Sequence, residues 1–185
     1  WLEAGDPLGC HSREDLPAAV GLLRRAMLSS SDSSPHSRSP VSRGSSLPPR
    51  RGGKDELAVL ALIKKQKKSM PDVLAELEQY KKKTSCWAWW AFPTEMPGNC
   101  EPGEPTYVTL RTADRLFEPD AAADDWKAVL EMICELVEAK GMKVLPSIDH
   151  GRVHYFIKFW RDMPVAPEWM EKVVRRLAKF DWPKY

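Results

Sequence analysis

The stretch "AADDWKAVLEMICELVEAKG", residues 122–141, constrains the fold most. Trp126, Val129, Leu130, Ile133 and Val137 recur at three- and four-residue intervals, which places them on one face of an α-helix. Asp124 and Asp125 suit the positive end of that helix, and Gly141 stands where a left-handed residue would close it. The pattern predicts a central strut with a broad apolar face that other elements must cover. Cys134 lies near that face and reads as a small core side chain.

Three further segments can cover it. Asp55 can cap "ELAVLALIKKQKK", a run that turns basic and polar after Ile63. Pro71 suits the opening of a separate helix "PDVLAELEQYKKK", in which Val73, Leu74, Leu77 and Tyr80 share a face and Lys81 to Lys83 favour the C-terminal end. The closing "PEWMEKVVRRLAKF" repeats the pattern through Trp169, Val173, Leu177 and Phe180. Two segments remain open at this level. "VHYFIKFW" fits a helix through Val153, Phe156, Ile157 and Trp160, and a strand through Val153, Tyr155, Ile157 and Phe159. "MKVLPSI" reads as a lone extended connector. The expected fold class is all-α: a single domain of about five to six helices over residues 54–185.

Residues 1–53 stand apart. From Met27 to Gly53 the chain has ten Ser, four Arg and one acid with almost no large apolar side chains, too little surface to offset the entropy of ordering. A disordered Ser/Arg/Pro-rich segment is expected. It reads first as a flexible tail and second as an organelle transit segment, with "LPAAVGLLRRAML" able to form an amphipathic turn before it and Met27 a candidate start.

Charge excludes one class of partner. Basic and acidic side chains balance at 21 each from residue 54 onward, so the domain lacks the net basic charge of a general nucleic-acid binder. That balance is uneven along the chain: eight basic against five acidic in 54–83, five against twelve in 84–150, and eight against four in 151–185. An acidic middle between basic ends suits a chain that folds back on itself. No apolar run reaches membrane-spanning length. The four cysteines form no C-x-x-C pair, and about 130 residues can bury a core without a disulfide or metal staple, so an intracellular protein, cytoplasmic or organellar, is expected.

Chemistry would have to come from two places. In "TSCWAWWAFPTEMP", Ser85 can cap a turn over 86–91 that Phe92 and Pro93 end. Trp87 and Trp90 then share a face towards the core, while Trp89 points elsewhere and could line a cleft. In "SIDHGRVHYFIKFW", His150 and His154 lie four apart as zinc-binding pairs do, but Gly151 stands where a metalloprotease has Glu and no third ligand is spaced to join them. No metal or cofactor is expected. The plain account has Asp149 capping a helix, His150 and Arg152 in its exposed first turn, and His154 hydrogen-bonded at the surface. The sharper one gathers Trp89, Arg152, His154 and Lys158 into an aromatic and basic concavity for a small anionic or nucleotide-like ligand. Asp149 and His150 would be the acid–base pair if such a site were a small hydrolase or transferase for a nucleotide-type or other phosphorylated small molecule. A third reading is an accessory subunit of an organellar assembly, anchored to a protein partner by exposed indoles such as Trp169 or Trp182.

The order of basic residues, Thr84, Ser85, Trp87, Trp89, Trp90, Phe92 and Pro93 resembles the bacterial domain-of-unknown-function 1810 family, small all-helical proteins with a Trp- and Phe-rich segment after a second helix. Tyr107, Ala113, Leu116 and the helix holding Trp126 are similar in order to the downstream part of that family, a Tyr, a short Ala-containing helix and a long helix, and the likeness would span about residues 55 to 180. It implies an all-α fold with "VHYFIKFW" helical, and carries over no catalytic residue. Cys86 stands where members have His, and "EMPGNCEPGEP" replaces a Gly/Ser turn.

Overall fold

A computed structural model describes residues 53–96 and 106–184 of this chain. The readings of residues 1–52, disordered tail and transit segment alike, lie outside the described residues. Within them the fold is all-α, with five helices and no strand: α1 Lys54–Tyr80, α2 Ala88–Ala91, α3 Ala123–Lys140, α4 Ser147–Trp160 and α5 Glu168–Leu177. Short 3-10 turns occupy Ala113–Phe117 and Met142–Val144.

The strut is where the periodicity put it. Trp126, Val129, Leu130, Ile133 and Val137 of α3 are fully buried, and α1, α2 and α5 all pack on this helix. Burial of the Cys134 thiol pushes its pKa up to about 12, which makes it a core group and not a nucleophile. "VHYFIKFW" is helical within α4, because Val153, Phe156, Ile157 and Trp160 are the buried set.

The N-terminal half differs from expectation. The two predicted helices are one helix of 27 residues with Pro71 inside it. Val59, Leu62, Ile63, Gln66, Met70, Val73 and Leu77 form one buried stripe that runs past Pro71 unbroken, and Pro71 itself faces solvent. Packing of that stripe on α3 outweighs the lost backbone hydrogen bond. Tyr80, expected on the same face, is exposed. Asp55 caps nothing: Gly53 is the N-cap, and Asp55 accepts from Tyr107 and pairs with Arg111 instead. "MKVLPSI" is a 3-10 turn followed by the start of α4, not an extended connector, since His150 holds two of its carbonyls. Gly141 has φ +78° but ψ 179°, so it turns the chain with positive φ without adopting the left-handed helical cap; Lys81, φ 53° and ψ 28°, does adopt it at the end of α1.

Cys86 is disulfide-bonded, a pairing that the cysteine spacing did not announce; Cys134 is a free thiol. No helix among the described residues is long and apolar enough to cross a membrane.

Candidate functional site

The aromatic segment is the centre of the polar architecture. After Ala91 the chain leaves its one-turn helix and runs irregularly to Met96, buried from Phe92 to Thr94 and exposed at Glu95 and Met96, so the carbonyls of the turn and of this run need donors from elsewhere. Each donor comes from a distant residue. Gln66 Nε2 bonds the Trp90 carbonyl at 2.9 Å, Trp126 Nε1 the Ala91 carbonyl at 2.9 Å, and Trp160 Nε1 the Pro93 carbonyl at 3.0 Å. The Val108 N–H bonds the Thr94 carbonyl at 3.1 Å. Arg152 donates from Nε to Phe92 at 2.8 Å, from Nη1 to Met96 at 2.5 Å and from Nη2 to Trp89 at 3.5 Å. Its guanidinium also lies 4.7 Å from the centre of the Trp89 ring. Arg152 is 6% exposed, so it does not belong to an exposed first turn as the plain account had it, because the carbonyls it serves lie inward. The fork geometry of a guanidinium explains the choice of residue, since one group holds three carbonyls and stacks on an indole at once.

Upstream, Glu76 performs the same service with the opposite sign. Its carboxylate accepts from the Thr84 N–H at 2.7 Å, the Ser85 N–H at 3.2 Å, the Ser85 hydroxyl and Trp87 Nε1 at 2.9 Å. Burial pushes its pKa up, but the bonds from Ser85, Thr84 and Trp87 outweigh this and hold it below the ordinary glutamate value. Ser85 therefore serves Glu76 and does not cap α2, whose N-cap is Trp87. Trp87 is core; Trp90 is half-buried against the core, with Lys65 Nζ 5.0 Å from its ring centre.

The residues singled out in α4 fall on different sides of the helix. Asp149 caps no helix end, since Pro146 is the N-cap; it pairs with Lys83 Nζ at 2.9 Å, both side chains nearly buried. His150 Nε2 lies 3.2 Å and 3.0 Å from the Met142 and Leu145 carbonyls, and its ring stands edge-on to Trp182. His154 Nδ1 is 3.1 Å from the Trp182 carbonyl. His150 and His154 thus share the side facing the C-terminal segment, while Arg152, two positions from each, faces the aromatic segment. Lys158 is exposed. The structure brings Trp89 and Arg152 together, and brings neither His154 and Arg152 nor Asp149 and His150 together. Trp182 is buried and Trp169 half-buried against Trp126, so neither is the exposed anchor expected of an accessory subunit. Among the described residues no group of three or more His, Cys, Asp or Glu is placed to hold a metal.

Two surface concavities among the described residues lie along α5. One of about 320 Å3 is lined by Glu131, Lys172, Val173, Arg175, Arg176 and Lys179. A second, of about 250 Å3, is lined by Arg161, Glu171, Val174, Arg175 and Ala178. Arg175 is common to both. Arg176 is held by Glu138 through two bonds of 2.9 Å and 2.6 Å, which keeps its pKa above the ordinary arginine value, and Lys172 pairs with Glu168. Arg175 and Lys179 close no ion pair among the described residues. The cations at 172, 175, 176 and 179 stand at one-turn spacing in the sequence, a signal that apolar periodicity in the same segment overshadowed. Glu76 and Lys83 carried no such signal, because their partners are eight or more residues away or on another helix.

Compared with protein-family models, curated proteins and solved structures, the chain matches none.

Proposed function

We propose that this chain is a non-catalytic helical binding domain for a small anionic or nucleotide-like ligand, held on the outer face of α5. The observation that carries the reading is the pair of adjoining concavities that share Arg175 and are lined by Arg161, Lys172, Arg176 and Lys179 against two carboxylates, Glu131 and Glu171. A phosphate there meets the Arg175 guanidinium fork, which closes no ion pair of its own, and a flexible ammonium at Lys179. The aromatic and basic residues of the 89–96 segment and α4 contribute less to this reading. Arg152 spends its donors on the carbonyls of Trp89, Phe92 and Met96, and His154 is held by Trp182. The hydrolase or transferase reading has no observation behind it, since Asp149 turns to Lys83 and His150 to carbonyls.

Thermal unfolding in the presence of ATP, inorganic phosphate and tripolyphosphate tests the proposal. At least one of these anions should raise the midpoint, and the rise should vanish in Arg175→Ala/Lys179→Ala while persisting in Trp89→Ala/Lys158→Ala. No rise with any of them, or a rise untouched by the α5 variant, overturns it.

A further inference from the structure

We propose that the outward face of the first half of α1 docks a partner protein segment that is acidic along most of its length and apolar at one end. This surface is separate from the α5 concavities and does not depend on them. Leu57 is 59% exposed and Leu60 42% exposed, one turn apart and both turned away from the buried stripe of Val59, Leu62 and Ile63. The next turns of that face carry Lys64, Lys67 and Lys68, all exposed. From Leu57 to Lys68 the face extends about 16 Å at the rise of an α-helix.

Two features make this more than a solvated helix side. The lysines stand at three- and four-residue intervals, where like charges repel and cost helix stability, and a glutamate at one of these positions would relieve it. None of the three closes an ion pair among the described residues, although Asp72 lies one turn beyond Lys68. Complementary charge is thus left to come from another molecule, and the two leucines give that molecule an apolar anchor at one end. A lipid surface fits less well, because an interfacial helix sinks a broad apolar face and that of α1 is already committed to the core. Single-stranded nucleic acid would use the lysines but leave Leu57 and Leu60 without a role.

Selection of a displayed random library of peptides of about 12 residues, enough to span the face as a helix, against the full chain tests the inference. The expected peptides are rich in Asp and Glu with leucine-type residues towards one end. Their binding, read by fluorescence anisotropy, should weaken about tenfold or more in Lys64→Glu/Lys68→Glu. It should weaken comparably in Leu57→Ser/Leu60→Ser, and fall with added salt. Both pairs are exposed, and unchanged helical circular dichroism shows that the variants fold. The inference is overturned if no acidic peptides emerge, or if those that emerge bind both variants as they bind the parent. It is equally overturned if phosphatidylserine–phosphatidylcholine vesicles or oligo(dT) occupy the lysine face and the selected peptides fail to compete.

Discussion

At the scale of single residues, the decisive groups are buried or half-buried polar side chains that serve backbone. Glu76 gathers four donors from the 84–87 segment, and Arg152 gathers three carbonyls from 89–96. Charge-assisted hydrogen bonds of this kind contribute roughly 1.5–3 kcal/mol each in favourable sites, and the half exposure of Glu76 screens part of it. Glu76→Gln should therefore cost about 2 kcal/mol at neutral pH by urea unfolding. Its pH dependence has a definite sign. The folded pKa of Glu76 is depressed, so its contribution is complete above the unfolded glutamate value, about 4.3, and disappears as pH falls through the lower folded value. The gap between parent and Glu76→Gln should narrow on acidification towards that value; a gap that stays constant or widens would contradict the assignment. The roles of Glu76 and Arg152 were not legible beforehand. Arg152 has the chemistry of a phosphate ligand, and only the proximity of three carbonyls in need of donors directs it inward instead.

At the scale of elements, α1 shows how packing overrides local preference. Pro71 suits the first turn of a helix, yet the buried stripe continues from Ile63 through Gln66 and Met70 to Val73 and Leu77. Gln66, a polar residue at 1% exposure, is tolerated because it bonds the Trp90 carbonyl. The cost of an interior proline remains. Pro71 faces solvent, and Pro71→Ala should raise stability by about 1–3 kcal/mol with the same fold, seen as a higher urea midpoint and slightly greater helical ellipticity. If Pro71→Ala is destabilising, the proline at that position is needed by the packing and not merely endured. For α4 the reverse holds. Its sequence fitted two periods equally, and burial of Val153, Phe156, Ile157 and Trp160 selected the helical one.

At the scale of the whole molecule, the core is an aromatic assembly around α3, with Trp126 in contact with Phe117, Trp160 and Trp169. Trp126→Ala should cost about 3–5 kcal/mol, while Trp89→Ala, removing a half-exposed ring, should cost distinctly less when both are measured by chemical unfolding. The uneven charge along the sequence is also used in this closure: Lys83 meets Asp149, and Arg176 meets Glu138, each joining a basic end to the acidic middle. The sequence alone determined the all-α class, the strut at Trp126–Val137 and the place of the closing helix, because helical periodicity is a local property that burial of one face reinforces. Tertiary structure decided that α1 is continuous, that Arg152 and His154 part company, and that two concavities along α5 share Arg175. The reason is that the fate of a polar side chain depends on which carbonyls and carboxylates packing leaves within its reach, and those belong to residues tens of positions away.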